Sequence, residues 1–218
     1  MAGKPVETRI TLVRHGETEY NRTNRYMGRL AGGLTPEGRM QAELTGRRLA
    51  QDGADALYTS PLERTRETAT FLAGALGIEA RQEPGFVEID MGPWEGRDRA
   101  EVAAEDPVRW KVWLTDPTQV HVPGMESIDV LRGRVGEAFD RLAAAHPGGH
   151  VIIVTHYACV ATTVLHAIAL PSVAYRRFPI DNASLTVLRL GGITKLLRFN
   201  DTAHLELLGG AGLAEHAE

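Results

Sequence analysis

The sequence predicts a three-layer α/β/α fold around a mainly parallel central sheet, with a small helical insertion as a lid. Three observations carry that expectation. Apolar runs of β type recur at residues 10–15, 54–59 and 151–154. Each is followed by a segment with helix-forming character, the order that lays helices on both faces of a parallel sheet. Near the end, two alternating stretches flank Gly191-Gly192 and read as a hairpin near a sheet edge.

The elements follow in order. Residues 10–15 form a strand that stops at Arg14-His15. The polar stretch 19–33, with Gly28, Gly32 and Gly33, reads as a functional loop or broken helix. Thr35-Pro36-Glu37 opens a helix, with Thr as N-cap, Pro at the first helical position and an acid in the first turn. That helix runs to about residue 51 and stops before Gly53. A short buried strand at 54–59 leads into Ser60-Pro61-Leu62-Glu63, which is both a capping box and a proline start, so a helix begins there and continues to about Leu76. Residues 97–125 break the rhythm with Trp110, Trp113, three prolines and mixed charge, and read as a helical insertion over one end of the sheet. Val151-Ile152-Ile153-Val154 has no polar face, as expected of a central strand buried on both sides. It ends at Thr155-His156, and an apolar helix spans about 158–169. The alternating stretches are 184–190 and 194–199.

A chain of 218 residues, 43% hydrophobic, supports one sizeable core. A single domain is expected, with its core at about 9–205, the lid at about 97–125 and loose tails at 1–8 and 209–218. Net charge is −4 and the Lys and Arg residues are scattered, which argues against a nucleic-acid partner. The lone Cys159 allows no intrachain disulfide and fits a reducing compartment. Neither a secretory apolar core nor a membrane-length run stands out, so a cytoplasmic protein without membrane attachment is expected. The sequence leaves the oligomeric state open, a homodimer included.

Arg14-His15-Gly16 delivers a guanidinium and an imidazole to the carboxyl edge of the sheet, where open α/β folds build their sites. Such a pair suits a phosphoryl group: the cation neutralises phosphate oxygens while a neutral ring nitrogen attacks phosphorus. Arg64, one turn after the second strand, and His156, after the third, supply further donors for the same anion. Glu88 is the candidate acid for a leaving oxygen, with Asp90 and Glu95 close by in sequence. Each has a plain alternative: a surface His15, an exposed Arg64 paired with Glu63 or Glu67, a structural His156. Cys159 reads as core, since Leu165 stands where a cysteine-dependent phosphatase needs Arg. His146, His150, His166 and His204 lack metal-ligand spacing, and Trp110 and Trp113 read as packing.

The motifs in order complete the reading. Arg14-His15-Gly16-Glu17-Thr18 with Asn21, Leu34-Thr35-Pro36-Glu37-Gly38 with Gln41, and Ser60-Pro61-Leu62-Glu63-Arg64-Thr65 come first. Glu88 with Trp94-Glu95-Gly96, Gly124-Met125-Glu126-Ser127 with Arg134, and Val154-Thr155-His156 follow. This ordered set resembles the histidine phosphatase superfamily, also called phosphoglycerate-mutase-like. The resemblance implies that His15 forms a phosphohistidine, that Arg14, Asn21, Arg64 and His156 bind the phosphate, and that Glu88 is the general acid and base. It implies a small phosphorylated metabolite as substrate and neither metal nor cofactor. Many relatives have Gly and then Arg after the second His, where this chain has Tyr157 and Ala161, and Ala31-Gly32-Gly33 stands where relatives often have Asp; these departures bear on specificity. Arg25, Tyr26 and Tyr157 are the candidate substrate-binding residues, with Arg29 in the same loop. The short interval between Glu88 and His156 favours a phosphatase; the alternatives are a cofactor-dependent phosphomutase and a non-catalytic phospholigand-binding relative. Phosphate release should survive EDTA, and its abolition by the chelator would refute the metal-free chemistry.

Overall fold

Alternation decides what each central strand touches. In β1 (Thr8–Arg14), Ile10 and Leu12 face one side of the sheet and Val13 the other. In β4 (His150–Thr155), Val151 and Ile153 share the first side, Ile152 and Val154 the second. The middle of each strand is apolar on both sides because neither face meets water there. The computed structural model describes residues 6–208. It adds β2 (Ala56–Thr59), β3 (Ala80–Gln82), β5 (Leu185–Leu190) and β6 (Lys195–Asp201), in the sheet order β3-β2-β4-β1-β5-β6. The pairs β3–β2, β2–β4 and β4–β1 are parallel; β5 runs antiparallel to β1, and β6 to β5. The mainly parallel sheet with a terminal hairpin is therefore present.

Helices α2 (Pro36–Ala50) and α3 (Glu63–Leu76) cover the second side through Leu49, Ala69 and Leu72. Helices α6 (Ile128–Ala145) and α7 (Tyr157–Ala167) cover the first through Leu131, Val135, Phe139 and Leu165. The single turn α1 (Glu19–Arg22) opens the 19–33 loop, with Thr18 as its N-cap. The insertion folds as α4 (Arg99–Glu105) and α5 (Pro107–Thr115), capped by Asp98 and Asp106. Its Trp113 is buried, packing on Trp94 and Tyr175 at ring distances of 5.9 and 6.0 Å. No helix among the described residues is long and apolar enough to cross a membrane.

The structure corrects several boundaries. The second strand starts at Ala56, two residues late, and the expected capping box at Ser60 does not form. Helix α3 begins at Glu63, with Leu62 in the N-cap position and no side-chain cap. The Ser60 hydroxyl is engaged elsewhere, 2.8 Å from His156 Nε2. Helix α7 stops at Ala167; Ala169 is left-handed (φ 55°) and the Leu170 N–H closes back on the Leu165 carbonyl. Both α6 and β3 occupy stretches to which the motifs assign no element. Thr8 belongs to β1 rather than to a tail, and of the expected loose ends, residues 1–5 and 209–218 lie outside the described residues.

One close approach fixes the start of the first loop. A Cβ on Gly16 would stand 2.3 Å from the Gly38 carbonyl oxygen, and one on Gly38 would stand 2.1 Å from the Glu17 carbonyl oxygen. Backbone meets backbone here, so no side chain can yield. Thr35 Oγ1 donates to the Glu17 carboxylate at 2.7 Å and accepts from the Gly38 N–H at 3.0 Å, locking the helix start to the loop. Gly16→Ala or Gly38→Ala should cost about 1–3 kcal/mol by overpacking and lower Tm by several degrees. Thermal unfolding checks this, and an unchanged Tm would contradict the back-to-back packing.

Candidate active site

Adjacent strands β1 and β4 send their connections to opposite faces, since α2 lies on the second side and α7 on the first. The crevice this leaves at their carboxyl ends is where open α/β sheets place ligands. Backbone ladder bonds run right up to it. The His15 N–H donates to the Thr155 carbonyl (2.9 Å) and the Ser60 N–H to the Val154 carbonyl (3.0 Å). Ala183, left-handed with φ 58°, donates its N–H to the carbonyls of Arg14 and His15 at 3.0 and 3.1 Å. Arg14, His15, Arg64, Glu88 and His156 are all buried in this region, each at most 8% exposed. The plain alternatives of a surface His15 and an exposed Arg64 are thereby excluded.

His15 Nδ1 lies 2.8 Å from the Gly16 carbonyl oxygen. A carbonyl only accepts, so Nδ1 carries the proton and Nε2 presents a lone pair. Arg64 Nε donates toward that lone pair at 3.3 Å. Burial first, then the Arg64 and Arg14 guanidiniums, hold His15 well below the usual imidazole range. His156 packs against it at a ring distance of 5.3 Å and is held down by the same burial and the Arg64 charge. Its Nε2 meets Ser60 Oγ, while its Nδ1 is buried with no partner.

Neither guanidinium has a carboxylate at ion-pair distance among the described residues. Carbonyls take that place. Arg14 donates to Ile180 at 2.5 Å, and Arg64 to Gly28 and Leu30 at 2.8 and 3.3 Å. Burial brings both down to about 10, so they stay cationic at neutral pH. Arg14 Nε is buried with no partner.

Glu88 accepts from the N–H groups of Ile89 (2.8 Å) and Ala158 (3.4 Å). Those bonds and the two cations pull its pKa down; burial outweighs them and raises it above the usual carboxylate value. Its backbone is clamped. Arg134 reaches the carbonyls of Gly85, Val87 and Glu88 at 3.0, 2.6 and 3.1 Å, and Arg29 Nε reaches the Glu88 carbonyl at 3.1 Å. Glu126 ties the two arginines together, receiving Arg134 at 2.7 and 2.8 Å and Arg29 at 3.1 Å.

The remaining candidates fall at different places. Asn21 borders the site through its oxygen, which accepts from the Thr18 N–H (3.0 Å) and from Asn182 Nδ2 (3.2 Å). Tyr157 donates to the Phe178 carbonyl and lies beside Arg14, 5.8 Å from guanidinium carbon to ring centre. Tyr26 is buried, its ring against Trp94 and Trp110, and Arg25 is exposed and bonded to the Gly96 carbonyl. Arg29 is spent on Glu88 and Glu126 rather than left free. Glu95 anchors the loop through the Arg29 N–H (2.7 Å), and Asp90 holds the Gly92 N–H (2.8 Å). Cys159 is buried against the Phe86 and Val87 carbonyls, with its thiol pushed far up by burial.

Ser60, Asn182, Arg134 and Glu126 join the site without a role there being read from the sequence, although Ser60, Glu126 and Arg134 stand inside the ordered motifs. Asn182 Nδ2 donates to the His15 carbonyl (3.0 Å) from far along the chain, with no local signal. Among the described residues, no group of three or more His, Cys, Asp or Glu is disposed to hold a metal ion.

The family model for the histidine phosphatase superfamily (branch 1) matches residues 10–202. The chain belongs to this superfamily. It is 31% identical to phosphoserine phosphatase 1 of Hydrogenobacter thermophilus over 90% of this chain and 94% of that one. It is 33% identical to a probable phosphoglycerate mutase, GpmB, of Serratia proteamaculans over 81% of this chain and 82% of that one. Among solved structures, the mycobacterial glucosyl-3-phosphoglycerate phosphatase Rv2419c in complex with VO3 superposes with a TM-score of 0.83 at 27% identity, over 89% and 99% of the two chains. The phosphoglycerate-mutase-like fold expected from the motifs is the fold observed.

The depressed histidines make stability depend on pH. The unfolded chain binds protons that folded His15 and His156 refuse. Their contribution is complete above about pH 6.5 and is lost as pH falls below it. Glu88, raised, acts in the opposite sense, its contribution being lost as pH rises through its folded value. His150 and His204, also held down by burial, act in the same sense as His15 and His156, so the histidines set the net sign. Urea unfolding between pH 7.5 and 5.5 should show a decline of up to about 1.4 kcal/mol per pH unit for each histidine. His156→Gln should flatten that decline, and an equal slope in the variant would contradict a neutral buried His156.

Proposed function

We propose that this protein is a metal-independent phosphomonoesterase that hydrolyses small phosphorylated metabolites through a phosphohistidine on His15. The observation that carries this is a matched pair of protonation states in one buried crevice. His15 is held neutral with Nε2 free of a proton, and Glu88 is held toward its protonated form. Nucleophilic attack needs the first and departure of an alkoxide needs the second.

Nε2 attacks phosphorus, the bond to the ester oxygen breaks, and Glu88 gives its proton to the departing alkoxide. Glu88, now a carboxylate, takes a proton from water. The resulting oxygen nucleophile displaces phosphorus from His15, releasing orthophosphate and returning both groups to their starting forms. Arg14, Arg64 and His156, with Asn21 at the rim, hold the phosphoryl oxygens throughout. The Arg14 Nε and His156 Nδ1 without partners are the donors a phosphate would engage.

The names of the phosphoserine and glucosyl-3-phosphoglycerate phosphatases support hydrolysis. The mutase relative keeps a second reading in view, in which the phosphoryl group returns to another oxygen of the substrate. A panel of phosphorylated metabolites assayed for phosphate release, with 3-phosphoglycerate isomerisation measured in parallel, separates the two. We expect release to dominate and an acid-labile phosphoenzyme to be trapped on His15. His15→Ala should abolish both. Glu88→Gln should cost about 10²–10⁴-fold with alkyl phosphates and markedly less with p-nitrophenyl phosphate, whose leaving group needs no proton. Full activity in His15→Ala would refute the mechanism, and fast isomerisation with little release would refute the hydrolytic assignment.

A further inference from the structure

Resting on that reading, we propose that Ser60 is a positioning residue that sets the tautomer of His156. Its hydroxyl donates to Nε2, the ring proton stays on Nδ1, and that N–H becomes a donor to the phosphoryl oxygens.

The placement begins in the sheet. Strands β2 and β4 pair in parallel with Thr59 opposite Val154, so the residues that follow them leave the sheet side by side. The Ser60 N–H bonds the Val154 carbonyl at 3.0 Å, and the Ser60 carbonyl accepts from Thr65 Oγ1 at 2.9 Å. Pro61 disfavours a helical backbone at the residue before it, and helix α3 starts only at Glu63. Ser60 is therefore held at the strand end, with its hydroxyl turned to His156 rather than capping the helix.

A count of protons selects the direction of the bond. Ser60 Oγ accepts from the Leu62 N–H at 3.4 Å and lies 2.8 Å from His156 Nε2. Both residues are wholly buried, out of reach of bulk water. The hydroxyl brings one proton, and the imidazole, held neutral, brings one more. A proton on Nε2 would be donated to Oγ. The hydroxyl proton would then have no acceptor among the described residues, and Nδ1 would be a lone pair without a donor. With the ring proton on Nδ1, the hydroxyl donates to Nε2 and one group alone is left over, the Nδ1 N–H. Each buried polar group left unpaired costs stability, so the arrangement with one such group prevails over the arrangement with two.

His15 shows what this tautomer accomplishes. Both rings carry the proton on Nδ1, yet their partners are of opposite kind. His15 spends its N–H on the Gly16 carbonyl, which only accepts, and presents a bare Nε2. His156 spends its bare Nε2 on a hydroxyl that donates, and presents the N–H. One ring becomes the nucleophile and its neighbour, 5.3 Å away, becomes a donor for the developing anion. The other tautomer of His156 would turn a lone pair toward the same oxygens and repel them.

Nitrogen-15 spectra of the protein labelled in its histidine rings test the proposal, since protonated and bare ring nitrogens resonate far apart. In wild type without phosphate, His156, identified by the signals lost in His156→Gln, should show a protonated Nδ1 and a bare Nε2. In Ser60→Ala the two signals should move toward each other as both tautomers become populated. Ser60→Cys, a weaker donor, should move them less far in the same direction. Calorimetric titration with orthophosphate should give about tenfold weaker binding in Ser60→Ala and unchanged binding in Thr70→Ala, on the exposed side of α3. A protonated Nε2 in wild type would overturn the proposal. So would a wild-type signature retained in Ser60→Ala at native Tm, because a packing role alone weakens binding without moving the ring signals. Full activity in His15→Ala would overturn the phosphohistidine reading while the His156 spectra still decide the role of Ser60.

Discussion

Two guanidiniums buried without ion-pair partners are the constraint on which the rest of the site depends. An uncompensated charge away from water costs several kcal/mol, so Arg14 and Arg64 must be met by fixed dipoles. The Gly28 and Leu30 carbonyls meet Arg64, and the Ile180 carbonyl meets Arg14. The 19–33 loop must therefore close over one cation and the segment before β5 over the other. Asn182 and Ala183 then bond the carbonyls that flank His15. Burial keeps both imidazoles neutral, with the field of the two cations adding to it, and the same field attracts a dianion.

Glu88 shows how finely these terms oppose one another. Two cations and two backbone N–H groups favour its carboxylate, yet burial prevails and favours the acid. A phosphate dianion in the pocket would offset the cations that stabilise the carboxylate and add repulsion of its own. The proton is then held most firmly when a leaving oxygen is present to receive it. The Arg134–Glu126–Arg29 clamp keeps this balance reproducible by fixing the backbone rather than touching the carboxyl group.

The sheet, the helix starts at Thr35 and the site-bearing strand ends were legible because their causes are local: periodicity, a cap, a proline. What lay hidden depends on distant partners. Ser60-Pro61-Leu62-Glu63 is a good capping box in isolation, but the Ser60 hydroxyl faces His156, and helix α3 starts without it. Arg25 and Arg29 are candidate ligand contacts by sequence, but their partners, the Gly96 carbonyl, the Glu88 carbonyl and Glu126, come from sequence positions that no window contains. Arg99 and Arg176 are ordinary letters in the sequence, distinctive only because each guanidinium lies over a buried ring, Tyr26 and Trp113. Strand β3, short and largely exposed, offers no periodicity to read.

The two halves of the crevice are built from different materials. The phosphate half hangs on parallel ladders and backbone carbonyls, where a displacement of one residue would break bonds across three strands. The lid half hangs on ring contacts and the aspartate caps of two short helices. Backbone bonds also tie the lid to the 19–33 loop, from the Tyr26 N–H to the Arg97 carbonyl (3.0 Å) and from the Gly96 N–H to the Tyr26 carbonyl (2.7 Å). A side-chain substitution in the lid half leaves the backbone bonds around His15 in place, and Tyr157, 5.8 Å from both the Arg14 guanidinium and the Tyr175 ring, stands where the two halves meet.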